Sequence, residues 1–135
     1  MADKGGDRIM ELKNRSQYLD KLISVQDMEV IKVVTGIRRC GKSSLLKLMM
    51  AHLREQGVME EQILSMNFES MQFADMDSKS LYQYVTERES KGKRLYLFLD
   101  EVQKVRDWQD AVNSFRVDLD CDIYVTGSNA YLLSS

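Results

Sequence analysis

The sequence has no proline and only one histidine, His52, among its 135 residues. The lack of proline fits a compact core without Pro-rich linkers. With a single histidine the chain cannot build a histidine-pair metal site, and we expect no His-based catalytic triad. The two cysteines, Cys40 and Cys121, are too few and too isolated for a zinc site or a disulfide framework. We therefore expect both to be free thiols without a catalytic role.

Long hydrophobic runs and an excess of one charge are missing as well. No apolar run approaches the roughly 20 residues of a membrane-spanning helix, and the N-terminus lacks the apolar core of a signal peptide. Basic and acidic residues number 19 and 21, which gives a formal net charge of −2. This balance supplies no global field for nucleic acid or an anionic membrane. We expect neither as a partner and take the cytoplasm as the default location.

The most informative stretch of the chain is a match to the phosphate-binding P-loop pattern G-x-x-x-x-G-K-[ST], from Gly36 to Ser43. At average residue frequencies, its four fixed positions would occur by chance in roughly one chain of this length in two hundred. The β-branched run at 31–35 predicts a strand that enters the loop, and the apolar spacing from 45 to 53 predicts a helix that leaves it. Strand, loop and helix are the context that the motif needs, so we predict nucleotide binding.

Each fixed position of this loop has a chemical reason. Backbone N–H groups can wrap a polyphosphate only where glycines allow close approach. Lys42 would place a cation against the β- and γ-phosphates, and the Ser43 hydroxyl would ligate the Mg²⁺ that bridges them. The positive end of the following helix dipole adds to the attraction. The predicted nucleotide-binding residues are Gly36, Ile37, Arg38, Arg39, Cys40, Gly41, Lys42, Ser43 and Ser44.

Predicted strands and helices alternate along the rest of the chain. Strands are predicted at 30–35, 63–68, 95–99 and 123–126, and helices at about 8–24, at 43–56 up to Gly57, after Asp75 or Asp77, and at 108–119. This alternation predicts an α/β fold, a three-layer αβα P-loop NTPase with a parallel sheet and right-handed crossovers. We predict one P-loop ATPase domain over 1–135, with an amphipathic helix at about 8–24 and a nucleotide-binding core at about 30–135.

The buried run at 95–99 ends in Asp100 and Glu101. An aspartate that closes an apolar strand suits the Walker-B role, in which it holds Mg²⁺. Glu101 is placed to polarise an attacking water as the catalytic base. Acidic residues also end strands for no catalytic reason, but the P-loop upstream favours the catalytic interpretation. The predicted metal residues are therefore Ser43 and Asp100.

Asn129 follows the strand that should lie between the P-loop strand and the Asp100 strand. Its amide could orient the attacking water or contact the γ-phosphate, which is the sensor role. The alternative is a turn residue in Gly-Ser-Asn. We favour the sensor, so the predicted catalytic residues are Glu101, Lys42 and Asn129. Trp108 is better explained as core than as an adenine platform.

Four stretches together resemble the prokaryotic AAA-type ATPases: 31–44 around the P-loop, 67–69 (Asn-Phe-Glu), 97–103 (Leu-Phe-Leu-Asp-Glu-Val-Gln) and 126–130 (Thr-Gly-Ser-Asn-Ala). The resemblance runs from about 18 to 135. It is strongest to the branch whose ATPase domain precedes an uncharacterised C-terminal domain. It implies ATP rather than GTP as the nucleotide, together with Mg²⁺, and an ATPase of the class with a glutamate beside the Walker-B aspartate.

Proteins of that kind continue with a fifth core strand, an arginine finger and a C-terminal domain, so we interpret this sequence as an N-terminal fragment, truncated after the sensor strand. An arginine finger contributes about 10³–10⁵ in rate. We therefore expect the fragment to bind nucleotide weakly, to hydrolyse it slowly and to self-associate through an open sheet edge.

The expected function is Mg-dependent ATP hydrolysis that drives a conformational change in a larger protein. The main alternative is a nucleotide-dependent switch or interaction module with negligible turnover. A small-molecule kinase is disfavoured, because the Asp-Glu pair is a water-activating arrangement and no arginine-rich lid is present.

Overall fold

The computed structural model describes residues 15–35 and 39–127, with positions 15, 16, 39 and 40 described by their backbone only. Helices and strands alternate along these residues: α1 (Arg15–Ser24), β1 (Lys32–Val34), α2 (Arg39–Glu55), β2 (Ile63–Asn67), α3 (Ser78–Arg88), β3 (Leu95–Asp100), α4 (Trp108–Asp118) and β4 (Cys121–Thr126). Short 3-10 turns lie at Glu60–Gln62, Met71–Phe73 and Val102–Lys104.

The strands form one parallel sheet in the order β1-β4-β3-β2. The strand before the predicted sensor segment, β4, therefore lies between the P-loop strand and the Asp100 strand, as the sequence predicted. In this register Val34 is opposite Thr126, and Leu99 is opposite Val125. The ends of β1, β4 and β3 thus meet at the carboxyl edge of the sheet, where ligands bind in open α/β folds.

Helices cover both faces of this sheet. On one face α1 and α2 pack on Val34, Tyr96, Phe98 and Tyr124. On the other face α3 and α4 pack on the alternate side chains of the same strands, including Leu97, Leu99, Ile123 and Val125. All six residues of β3 are buried, as expected for a strand covered on both sides. The predicted three-layer αβα fold is confirmed.

Helix α2 begins at Arg39 rather than at the predicted Ser43. The prediction placed the start at the apolar stripe, and a polar first turn contributes nothing to that stripe. The helix ends as predicted, because Gly57 adopts a φ of 97°. The Gly57 N–H donates to the Arg54 carbonyl and the Val58 N–H to the Leu53 carbonyl. This is a Schellman ending, in which glycine avoids the cost of a left-handed backbone.

Helix α3 has its N-cap at Asp77, whose carboxylate accepts the Ser80 N–H at 2.9 Å. Asp75, the other predicted cap, instead has a φ of 62°. Strand β1 is shorter than the predicted range 30–35, because its pairing with β4 covers positions 32–34.

The described part of the N-terminal helix is α1, and positions 8–14 of its predicted range lie outside the described residues. The division into an N-terminal helix and a nucleotide-binding core stays a prediction. Among the described helices, none is both long and apolar enough to cross a membrane.

A buried polar network ties the strands together at their amino ends, opposite the carboxyl edge. The Lys32 ammonium forms an ion pair with Asp122, and their side chains are only 2% and 0% exposed. Asp122 also accepts the Tyr124 hydroxyl at 2.7 Å and the Asp27 N–H at 3.0 Å. Burial and a hydrogen bond to Asp27 raise the pKa of Tyr96 to about 12. The network joins the turn after α1 to β1, β3 and β4.

Candidate nucleotide-binding site

Four of the predicted site residues come together at the carboxyl edge: Lys42, Ser43, Asp100 and Glu101. Lys42 and Ser43 belong to the first turns of α2, and Asp100 is the last residue of β3. Lys42, Asp100 and Glu101 are between 5% and 7% exposed. Buried ionisable groups at the ligand-binding edge of a sheet mark a candidate functional site.

Both oxygens of the Asp100 carboxylate accept hydroxyl hydrogen bonds. The Ser43 Oγ donates to Oδ2 at 2.5 Å, and the Thr126 Oγ1 donates to Oδ1. The backbone carbonyl of Asp100 accepts the Phe68 N–H at 3.0 Å. Asp100 is therefore held from α2, from β4 and from the segment after β2.

Glu101 turns the chain sharply where β3 ends. Its backbone has φ 58° and ψ 50°, a left-handed conformation that costs a residue other than glycine about 1–3 kcal/mol. Hydrogen bonds on both sides offset this cost: its N–H donates to the Thr126 Oγ1 at 2.9 Å, and its carbonyl accepts the Lys104 N–H at 3.2 Å. The carboxylate accepts the Gln103 side-chain amide at 2.8 Å through Oε1.

The Lys42 ammonium lies between the ends of β3 and β4. Its Nζ is 3.4 Å from the Glu101 Oε2, and it donates to the Gly127 carbonyl at 3.0 Å. Lys42 lies in the first turn of α2, where the positive end of the helix dipole favours negative charge. An ammonium at the amino end of a helix suits an anion.

The donor set also fits Mg²⁺. Ser43 and Asp100 offer adjacent hydroxyl and carboxylate oxygens, and Mg²⁺ is usually held by one or two carboxylates, waters and the phosphates of a substrate. No cluster of three or more His, Cys, Asp or Glu side chains that could hold a metal occurs within residues 15–35 and 39–127.

The remaining predicted residues are described less fully. Gly41 and Ser44 lie in α2 and are partly buried. Arg39 and Cys40 contribute their backbone to the start of α2, and their side chains are not described. Gly36, Ile37, Arg38 and Asn129 lie outside the described residues. The loop that wraps the phosphates and the sensor role of Asn129 therefore stay predictions.

Two residues of the site were not predicted from the sequence. Thr126 hydrogen-bonds to both Asp100 and Glu101, and Gln103 hydrogen-bonds to Glu101. Thr126 could have been suspected, because it ends the strand predicted to lie beside Asp100. Gln103 ends the 97–103 stretch, but the sequence assigned it no role, because its contact depends on the left-handed turn at Glu101. Trp108 packs against the core, as predicted.

The architecture is that of a P-loop NTPase-like αβα domain. Within this class, the chain belongs to the AAA domain family, whose family model matches residues 29–135. The resemblance to AAA-type ATPases is thereby confirmed. Membership indicates a nucleotide-binding ATPase, and such proteins typically use Mg²⁺.

Two relatives extend over nearly the whole chain. An uncharacterized protein of Haemophilus influenzae is 42% identical over 123 residues, which cover 90% of this chain and 31% of that protein. An uncharacterized protein of Methanocaldococcus jannaschii is 26% identical over 127 residues, covering 93% of this chain and 27% of that protein. The chain thus spans less than a third of either relative's length. No solved structure matches it significantly.

Proposed function

We propose that this domain binds ATP together with Mg²⁺ and that the longer protein hydrolyses ATP to drive a conformational change. The observation that carries the proposal is the meeting of Lys42 and Ser43 with Asp100 and Glu101 at one buried edge of the sheet. Membership of the AAA domain family supports nucleotide binding. The resemblance described above favours ATP over GTP as the nucleotide.

In this proposal the residues divide the work of phosphoryl transfer. Positions 36–44 wrap the phosphates with backbone N–H groups, and Lys42 contacts the β- and γ-phosphates. Ser43 and Asp100 hold the Mg²⁺. When bound, Mg²⁺ neutralises charge on the phosphoryl oxygens. Asn129 contacts the γ-phosphate or the attacking water as the sensor.

Glu101 acts as the base that takes a proton from the attacking water. Its Oε2 is 3.4 Å from the Lys42 ammonium. A phosphate that takes Lys42 as its partner would release this oxygen, while the Gln103 amide would still hold Oε1. The ion pair therefore couples nucleotide entry to release of the base.

The same ion pair also supports the second candidate, a nucleotide-dependent switch with negligible turnover. Binding alone would separate Lys42 from Glu101 and could change the ends of β3 and β4 without any hydrolysis. Release of phosphate from ATP by the full-length protein, without an added acceptor, favours the ATPase over the switch. Turnover that requires an added acceptor would instead identify a kinase.

The decisive test is Lys42→Ala. A hydrogen bond to a charged group contributes about 1.5–3 kcal/mol, so we expect ATP affinity to fall about 10- to 100-fold by calorimetric titration. Lys47→Ala is the matched control, because Lys47 is an exposed lysine of the same helix, and it should leave affinity unchanged. Equal ATP affinity in the Lys42 variant and the parent would overturn the proposal.

A further inference from the structure

Thr126 is the last residue of β4 and has no exposed surface. Its hydroxyl makes two hydrogen bonds, to consecutive residues of the neighbouring strand's end. It donates to the Asp100 Oδ1 and accepts the Glu101 N–H at 2.9 Å. The direction of each bond is set by chemistry, because an N–H can only donate and a carboxylate accepts.

The strand register places this hydroxyl at the centre of the site. Thr126 is opposite Val34, so it lies between the strand that leads into the P-loop and the strand that ends in Asp100. A shift of β4 along β3 would move the hydroxyl away from both of its partners.

The consequence for Asp100 concerns the orientation of its carboxylate. The terminal torsion of an aspartate is broad, so an unrestrained carboxylate would sample many orientations. With Oδ1 held by Thr126, the other oxygen is directed to the Ser43 Oγ at 2.5 Å. The same hydroxyl stabilises the left-handed turn at Glu101 through its N–H.

We propose that Thr126 is a positioning residue of the nucleotide site, which orients Asp100 for Mg²⁺ while contacting neither metal nor nucleotide itself. This inference rests on the proposed function, since it requires that Ser43 and Asp100 receive Mg²⁺ with ATP. Mutation of the partners that orient metal ligands typically lowers metal affinity by about 10- to 100-fold. A threonine that merely fills the end of β4 would affect stability alone.

The test compares two pairs of side chains that differ chiefly in the hydroxyl: Thr126 against Thr126→Val, and Thr126→Ser against Thr126→Ala. The readout is the ratio of ATP dissociation constants without and with Mg²⁺, measured by calorimetry on this chain, with thermal unfolding in parallel. We expect loss of the hydroxyl to lower this ratio by roughly tenfold in each pair. ATP affinity without Mg²⁺ should stay within about twofold.

The control is Thr86→Val, because the Thr86 hydroxyl bonds to the Tyr82 carbonyl within α3 and takes no part in the site. It should leave the Mg²⁺ ratio at the parent value. If Thr126→Val does not fold, the serine and alanine pair still isolates the hydroxyl. An unchanged ratio in Thr126→Ala relative to Thr126→Ser, or a ratio as low in Thr126→Ser as in Thr126→Val, would overturn the proposal.

The outcome for Lys42→Ala separates the two levels of inference. If that variant loses ATP affinity while the Thr126 variants keep the full Mg²⁺ ratio, the nucleotide site stands and the positioning role is wrong. If the parent binds no ATP, or gains no affinity from Mg²⁺, the proposed function is wrong and the positioning role falls with it.

Discussion

At the scale of single residues, the site is organised by a backbone conformation that side-chain patterns do not reveal. Glu101 is one of the described non-glycine residues that have a positive φ. Such strain persists only where the surroundings hold it, and here Thr126 and Lys104 do so. The turn brings the Glu101 carboxylate to Lys42 and Gln103. The strained residue is thus the proposed catalytic base.

The corresponding prediction is that Glu101→Gln keeps ATP binding and abolishes hydrolysis in the full-length protein. The amide has the same shape, and its oxygen can still accept the Gln103 hydrogen bond, but it cannot take a proton from water. Single-turnover phosphate release and calorimetric binding measure the two properties separately.

Asp100→Asn provides the contrasting variant, which should lose the Mg²⁺ dependence of binding. The division of roles would be wrong if Glu101→Gln abolished ATP binding while Asp100→Asn kept the Mg²⁺ dependence.

At the scale of elements, β1 is fixed at its amino end and leads into the phosphate loop at its carboxyl end. The Lys32–Asp122 pair anchors it to β4, and Lys32 also donates to the Met28 carbonyl at 2.5 Å. A one-residue slip would move Lys32 to the other face of the sheet. The ion pair therefore sets the register that brings Val34 opposite Thr126.

We predict that Lys32→Met lowers the free energy of unfolding by about 3–5 kcal/mol, because it leaves Asp122 as an uncompensated buried charge. Lys32→Met with Asp122→Asn should recover part of this loss, since the buried charge is gone. Urea unfolding of the single and double variants provides the measurement.

Arg54→Met is the matched control, because Arg54 forms an ion pair with Glu60 whose side chains are 46% and 71% exposed. Exposed pairs contribute about 0–1 kcal/mol, so this change should be small. A cost below about 1 kcal/mol for Lys32→Met, within the range of an exposed pair, would show that the buried pair does not anchor β1.

At the scale of the whole molecule, the parts predictable from sequence were those encoded in local patterns. The apolar run at 95–99 predicted the strand β3, and the apolar stripe at 108–119 predicted the helix α4. The order of the motifs predicted which strands meet at the carboxyl edge. That was enough to bring Lys42, Ser43, Asp100 and Glu101 to one edge.

The missed contacts of Lys32 and Thr126 depend on the register between strands that are distant in the sequence, whereas the missed Gln103 contact depends on the left-handed turn at Glu101. A lysine between Ile31 and Val33 would be expected to face solvent because it is charged. Lys32 is nevertheless 4% exposed, while Val33 is 47% exposed. The inversion follows from Asp122, 90 positions away in the chain, which compensates the lysine charge in the interior. The Thr126 contacts were missed for the same reason.

The half-exposed Val33 belongs to an edge whose other apolar side chains are also open: Met28 is 52% exposed and Val30 is 53% exposed. Within the described residues, β1 pairs with β4 alone. Unpaired strand edges are templates for pairing with another chain. We propose that the self-association expected from the sequence uses the β1 edge, where these apolar side chains are exposed.

We predict that sedimentation velocity detects concentration-dependent association of this chain and that Val33→Lys weakens it, because an edge lysine opposes strand pairing. Met71→Lys is the control: Met71 is 86% exposed in the turn after β2, at the far side of the sheet, so its change should leave association as in the parent. If Met71→Lys abolished association and Val33→Lys did not, the contact between copies would lie on another surface. A chain that stays monomeric at all accessible concentrations would show that the β1 edge does not pair with a second copy.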